Sequence, residues 1–134
     1  MMKPLPLRLG PGDDLRGALE AAVAAQGCGA AFVVAGIGSL STTCLRFAGA
    51  EQASVLGGDV EILTLSGSIA ADGSHLHASV ADASGRVFGG HVAPGCIVRT
   101  TAELLVALLP DWQFSREPDA ATGYAELVLR ERRS

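Results

Sequence analysis

Polar and apolar residues alternate over residues 73–80, which read Gly-Ser-His-Leu-His-Ala-Ser-Val. A period of two is typical of a β-strand that has one buried and one solvated face. Because residues i and i+2 of a strand point to the same side, His75 and His77 can present their imidazoles together. The even-numbered residues then face the core. This stretch therefore predicts a strand that carries a pair of histidines on its open face.

The third histidine of the chain, His91, lies on the segment that we expect to return antiparallel to this strand. Opposed residues in an antiparallel pair share a face, so pairing His75 with His91 brings all three rings together. This register leaves residues 82–84 as a three-residue loop before Gly85. It places Gly89 opposite His77, which leaves space beside the ring for an ion and a ligand. The opposite face then collects apolar side chains, namely Leu76, Ala78, Val80, Phe88 and Val92.

Three neutral imidazoles suit Zn²⁺ or a neighbouring transition metal, with a fourth position open to water or substrate. Alternatively, the three residues are half-exposed polar side chains that make ordinary hydrogen bonds. Three histidines on one face favour the metal. We therefore predict a divalent metal site, with zinc as the expected ion, on His75, His77 and His91.

The surrounding sequence predicts an α+β fold, mostly an antiparallel β-sheet of about eight strands with two helices. Apolar spacing from Leu15 to Val23 predicts the first helix, which follows an acidic cap. Residues 100–103 have capping-box spacing, Thr to Glu, and predict a second helix that Pro110 ends. Residues 36–38, Gly-Ile-Gly, are interpreted as a tight turn. The remaining strands are expected at residues 5–9, 30–35, 43–47, 60–69, 112–116 and 124–129.

Length and composition predict a single domain over residues 1–134, with a core at about 5–129 and a short basic tail at 130–134. The chain has 49% hydrophobic and 4% aromatic residues, so aliphatic side chains form the core. Three widely spaced cysteines suit neither a disulfide framework nor a zinc site, and we expect them to be small buried hydrophobes. The sequence contains no apolar run of membrane-spanning length, which favours a cytoplasmic protein without membrane contact.

Several charged residues are weaker candidates for a functional role. Glu61 could orient a histidine or simply face solvent, and Glu103 is explained by its capping position. Arg46 and Arg99 are the arginines most expected to approach a cleft. No catalytic residue can be assigned from the sequence. The net charge of −4 argues against nucleic acid, because DNA-binding domains usually present a basic patch.

Motifs along nearly the whole chain, from Leu7 to Leu127, resemble those of the PPC domain, the plant-and-prokaryote-conserved domain that in plants accompanies AT-hook DNA-binding motifs. The matching stretches are residues 8–15, 36–40, 61–67, 73–77, 89–91, 101–103 and 122–124. The resemblance implies a compact α/β subunit that forms a homotrimer. It also implies that the three histidines are metal ligands, as in stand-alone prokaryotic members.

The resemblance further implies a candidate DNA-binding or regulatory protein, although this sequence lacks the Arg-Gly-Arg-Pro hook. More distantly, the fold is similar to acetolactate decarboxylase and to a group of metal-dependent ester hydrolases, both of which hold zinc on three histidines. We therefore expect a stand-alone PPC protein with a three-histidine metal site. The alternative is a zinc-dependent enzyme, decarboxylase-like or hydrolase-like, that acts on a small oxo- or ester-bearing ligand at the metal.

Overall fold

The computed structural model describes residues 1–133, which form eight strands and one helix. The elements follow in the order β1 (Lys3–Leu9), α1 (Leu15–Ala25), β2 (Ala30–Arg46), β3 (Ser54–Ala70), β4 (Gly73–Ala81), β5 (Val87–Val92), β6 (Ile97–Leu108), β7 (Trp112–Pro118) and β8 (Ala125–Glu131).

Six strands form one antiparallel sheet in the order β1-β6-β2-β3-β4-β5, and β7 pairs with β8 in a second, two-stranded sheet. The long strands β2 and β3 hold the main sheet together, with seventeen residues each. The far end of β2 also pairs with β5, which bends the sheet partly round on itself. These features confirm the predicted α+β class and its antiparallel character.

Helix α1 covers one face of the main sheet. Its buried residues Leu15, Leu19 and Val23 join the apolar side chains of the strands in one core. Burying a side chain of this size stabilises the fold by about 1.5–3 kcal/mol. The Asp14 carboxylate caps the helix by accepting the Gly17 N–H at 2.9 Å, and its other oxygen accepts the Gly95 N–H at 2.6 Å. The Asp14 side chain therefore caps the helix and connects it by a hydrogen bond to the loop before β6.

The hairpin of β7 and β8 lies on the opposite face of the sheet. Phe114 of β7 packs edge-to-face against Phe32 of β2, with ring centroids 5.6 Å apart, and shares a small core with Ala30 and Ala70. In an extended strand, Ala30 and Phe32 point away from Ala31 and Val33, which belong to the core under α1. The hairpin thus covers one end of this second face and leaves the rest of it open.

The predicted helix that follows residues 100–103 is wrong, because this segment belongs to β6. Strand β6 pairs with β1 on one side and with β2 on the other. The buried side chains of Ala102, Leu104 and Val106 alternate with the exposed side chains of Glu103 and Leu105. Two neighbouring strands satisfy the backbone polar groups here, and this tertiary pairing outweighs a local capping signal.

The predicted tight turn at residues 36–38 is also wrong, since β2 runs through it without a reversal. A Cβ on Gly36 would come 2.7 Å from the Leu104 side chain, and one on Gly38 would come 2.5 Å from the Thr101 carbonyl oxygen. The two glycines therefore let neighbouring strands and side chains approach β2 closely.

The three cysteines are free; Cys44 and Cys96 are buried and Cys28 is half-buried. Within the part of the chain that the structure describes, no helix is long and apolar enough to span a bilayer.

Candidate metal centre

The β4–β5 hairpin carries all three histidines on one face, but in a register that differs from the predicted one by two residues. His77 lies opposite His91, whereas the predicted register placed His75 there. Gly89 accordingly lies opposite Ser79 and not opposite His77. The shared face survives the error because a shift of two residues preserves the alternation of a strand, while a shift of one would reverse it.

The turn explains the shift. The Asp82 carboxylate accepts hydrogen bonds from the Ser84 N–H, the Ser84 hydroxyl and the Arg86 N–H at 2.7–2.9 Å. The Ser84 hydroxyl is the main cause of the lowering of the Asp82 pKa to about 2. Gly85, at φ +83°, occupies the last position of the loop, where a left-handed residue is needed. The three-residue loop is therefore 83–85, one residue later than predicted.

The rings of His75, His77 and His91 form a compact cluster. The Nε2 atoms of His75 and His77 are 3.2 Å apart, and one nitrogen from each of the three rings lies within 4.8 Å of the others. Two nitrogens that share a tetrahedral zinc ion lie about 3.3 Å apart, given Zn–N bonds of about 2.0–2.1 Å. The His75–His77 pair already has this spacing, and the His91 ring lies within reach of the same point, so the three nitrogens could occupy three corners of a tetrahedron.

The surroundings of the cluster favour the neutral form of two of the imidazoles. Burial lowers the pKa of His75, and the positive charge of Arg116 lowers it further. Burial likewise lowers the pKa of His91, with Arg46 as the next cause. A metal ion needs the unprotonated ring, so these shifts favour ligation at neutral pH. The residues fit a divalent ion of the zinc type.

Neighbouring strands deliver other polar groups to this face. Arg46, at the end of β2, is directly opposite His91, and Ser68 of β3 is directly opposite His75. Arg116 of β7 reaches the same place, since its Nη2 donates to the Ser68 Oγ at 3.3 Å. An open cavity of about 1030 Å³ lies beside His75 and His91 and is lined by both arginines.

The charged residues singled out from the sequence divide between two places. Arg46 lines the cavity beside the histidines. Arg99 and Glu61 line a second cavity of about 410 Å³, where Arg99 forms an ion pair with Asp59 at 3.2 Å. On β3, Glu61 is seven residues from Ser68, roughly 20 Å along an extended strand. It therefore does not orient a histidine, and Glu103 is an exposed strand residue.

The β7–β8 hairpin contributes to this site in a way that the sequence does not indicate. Arg116, Tyr124 and Glu126 line the cavity, and Glu126 lies near enough to His75 to oppose the lowering of its pKa. No local pattern marks Arg116 and Glu126 as functional, and Tyr124 lies in a matching stretch, residues 122–124, for which the resemblance implies no role. Their position follows from the packing of Phe114 on Phe32, a contact between residues far apart in the chain.

A model of the Plants and Prokaryotes Conserved domain matches residues 1–110. The chain belongs to this family. The match is the same domain that the motifs of the sequence resemble, and it includes β1 to β6 with all three histidines. The β7–β8 hairpin lies beyond the matched residues.

A curated relative extends this finding. The bifunctional protein GlmU of Synechococcus sp. (strain JA-2-3B'a(2-13)) is 50% identical over 129 residues, which are 96% of this chain and 20% of that protein. The chain thus spans about a fifth of the length of the curated relatives it matches.

Solved structures share the fold over almost the whole chain. A hypothetical protein from Salmonella cholerae-suis is 41% identical with a TM-score of 0.95, covering 98% of this chain and 96% of that one. A metal-containing protein from Archaeoglobus fulgidus is 26% identical with a TM-score of 0.82, covering 94% and 93%. A candidate DNA-binding protein from Ralstonia eutropha JMP134 is 28% identical with a TM-score of 0.76, covering 93% and 90%.

Proposed function

We propose that this protein binds one divalent transition-metal ion per subunit, with zinc as the expected ion, on His75, His77 and His91. The observation that carries the proposal is the convergence of three ring nitrogens within 4.8 Å on one face of the β4–β5 hairpin. The fourth coordination position would face the adjoining cavity and take water or a small ligand. The similar Archaeoglobus fulgidus protein, which is described as metal-containing, supports this proposal.

Metal analysis of purified protein tests it. Protein loaded with zinc and then dialysed should retain close to one ion per subunit, as measured by elemental mass spectrometry. His77→Ala should lose stoichiometric metal, because two imidazoles make a poor cage. Ser79→Ala is the matched control, since Ser79 follows His77 on the same face of β4 and should leave the metal in place. A wild-type protein without metal after dialysis would contradict the proposal.

A second candidate is a zinc-dependent enzyme that acts on a small oxo- or ester-bearing substrate. The cavity beside His75 and His91 favours it, because a substrate could reach the fourth metal position from there. Hydrolase and decarboxylase screens of the zinc-loaded protein should give an activity that His77→Ala lacks. Full metal occupancy without activity in these screens would instead favour a structural or ligand-sensing centre.

The subunits are proposed to assemble as a homotrimer. Strands β2, β3 and β6 of the main sheet expose large apolar side chains, namely Phe32, Val34, Leu63 and Leu105, and an exposed apolar surface of this kind is typical of an interaction site. A subunit interface would cover them. Light scattering on the eluted protein should give three times the subunit mass, and a mass near one subunit at micromolar concentration would contradict the assembly.

DNA binding receives little support from the charge distribution, although a similar protein from Ralstonia eutropha is a candidate DNA-binding protein. The net charge is −4, and several arginines of the described surface are neutralised by acidic partners: Arg16 by Glu20, Arg86 by Asp82, Arg99 by Asp59 and Arg130 by Glu117. We expect weak binding at physiological salt. Submicromolar affinity for a defined duplex in a polarisation titration would overturn this expectation.

A further inference from the structure

Among the residues that the structure describes, Arg46 and Arg116 lie near the histidine cluster without a carboxylate partner for their guanidinium groups. Arg16, Arg86, Arg99 and Arg130 each form an ion pair with an acidic side chain within residues 1–133, whereas Arg46 and Arg116 take part in none of the ion pairs found there. The Arg46 guanidinium donates one hydrogen bond to the Ala50 carbonyl oxygen at 3.2 Å. The Arg116 guanidinium donates one to the Ser68 hydroxyl. Each guanidinium carries five donors, so both keep donors for a ligand.

Strand pairing fixes the positions of these two arginines relative to the histidines. Arg46 is the direct cross-strand neighbour of His91, and such neighbours have Cβ atoms about 4.5–5.5 Å apart. The two strands approach closely because residue 90 is a glycine, at which a Cβ would come 2.8 Å from the Arg46 carbonyl oxygen. Arg116 lies on the β3 side of the cluster, where it donates a hydrogen bond to Ser68, the cross-strand neighbour of His75. The arginines therefore flank the cluster on two sides of one cavity.

The charge balance of this place is positive once a metal binds. A divalent ion on three neutral imidazoles adds two positive charges to those of Arg46 and Arg116, while the third arginine of the cavity, Arg16, is paired with Glu20. Among the acidic residues of the cavity, the negative charge of Glu126 acts to raise the pKa of His75. The two carboxylate oxygens of Asp72 accept the Arg116 backbone N–H at 3.1 and 3.2 Å. Glu51 is exposed on the loop after β2. The three carboxylates of the cavity offset part of this positive charge, and the remainder favours the binding of an anion.

We propose that a small oxyanion, a carboxylate or a phosphate, binds at the metal ion and is held by the guanidinium groups of Arg46 and Arg116. One oxygen of the anion occupies the open metal position, and the others accept hydrogen bonds from the arginines, whose planar forks match both kinds of oxyanion. This inference rests on the proposed metal centre and names the class of ligand that the centre takes. Arg46 and Arg116 are positioning and specificity residues in this account.

The test uses full-length protein loaded with Co²⁺, whose visible spectrum reports changes in coordination. Malonate and inorganic phosphate are titrated separately, and malonamide serves as an uncharged control of similar shape. At least one of the two anions should bind and change the cobalt spectrum, while malonamide should not. The anion with the lower Kd identifies the carboxylate or the phosphate class.

Arginine variants show whether the proposed side chains are responsible. Arg46→Gln and Arg116→Gln should each raise the Kd of the anion at least tenfold without changing cobalt content. Arg46→Lys keeps the charge and should lose less affinity than Arg46→Gln. Arg99→Gln removes the same charge from the other cavity, whose lining includes none of the three histidines, and should leave the Kd within about twofold, since exposed charges are screened by salt.

The outcomes separate this inference from the metal proposal. Protein that holds one cobalt ion but binds neither anion, or binds malonamide equally well, overturns the anion site and leaves the metal centre standing. Unchanged affinity in both glutamine variants also overturns it. Protein that holds no cobalt overturns both proposals.

Discussion

Leu76, Ala78 and Val80 on the even-numbered side of β4 are 2%, 6% and 0% exposed, whereas His75 is half-buried and His77 exposed on the odd-numbered side. Helix α1 and the core strands enclose the first face, while the second opens into the cavity. One strand thus supplies packing and ligands on alternate residues. The difference predicts that substitutions one position apart should have separable effects on folding and on metal binding.

Leu76→Ala should give the largest effect on stability. It removes a fully enclosed side chain, and such truncations cost about 2–5 kcal/mol of unfolding free energy. The neighbouring change His77→Ala, measured by urea unfolding in a chelator, should cost no more than about 0.5 kcal/mol, as for other exposed positions. Equal losses in the two variants would contradict the division between the faces.

Zinc should stabilise the wild-type protein through the histidine face alone. At a free zinc concentration of one hundred times Kd, binding to the folded state adds about 2.7 kcal/mol to the free energy of unfolding. The increment should be absent in His77→Ala and should survive in Leu76→Ala under conditions where that variant is folded. Thermal melts with and without zinc measure it. A zinc increment in His77→Ala as large as in wild type would count against the site.

Gly67→Ala should affect both faces, because it acts on the backbone of β4 itself. Gly67 pairs with Leu76 and has φ +147°, and an added Cβ would collide with the His75 carbonyl oxygen. Strain and overpacking of this kind cost about 1–3 kcal/mol. Metal affinity should fall in the same variant, since β4 must move. Gly57→Ala on the same strand, where a Cβ meets open space, is the control.

The smallest expected effect is the pH dependence of the metal-free protein. The pKa values of His75 and His91 are lowered in the folded state, mainly by burial, so the unfolded chain takes up protons more readily below pH 6.5. Stability should therefore fall as the pH drops from 6.5 towards the folded-state pKa values and change little above that range. Both rings are partly solvated, which keeps the slope shallow.

Urea unfolding from pH 7.5 to 5.0 in a chelator measures this dependence. A double variant, His75→Gln with His91→Gln, should lose the part of the slope that these two groups supply. An unchanged slope in the double variant would assign the dependence to other groups. In the wild type, zinc affinity should fall over the same range because protonated rings cannot ligate.

The histidine face of β4 was predictable from the sequence, but the register of the β4–β5 hairpin was not. The shared face of the histidines depends only on the parity of the strand, which the alternation over residues 73–80 determines. The register depends on the turn, where the hydrogen bonds of Asp82 and the left-handed Gly85 place the loop one residue later than expected. Parity is a local property of the sequence, but the choice between two allowed turns is not.

Features that depend on distant contacts were harder to predict. Residues 97–108 carry both a capping-box spacing and an alternation of buried residues, and pairing with β1 and β2 decides for the strand. The role of Arg116 depends on how the β7–β8 hairpin packs through Phe114. The sequence predicts that Arg46 approaches a cleft, but the position of this residue opposite His91 follows from the β2–β5 pairing.

The central claim is that His75, His77 and His91 together ligate one metal ion. Crystals of zinc-loaded protein, measured on both sides of the zinc absorption edge, test this claim most directly. We expect one anomalous peak per subunit, about 2.0–2.1 Å from one nitrogen of each of the three rings. Absence of a peak at the cluster, or a peak bound by other residues while the three rings hydrogen-bond to one another, would contradict it.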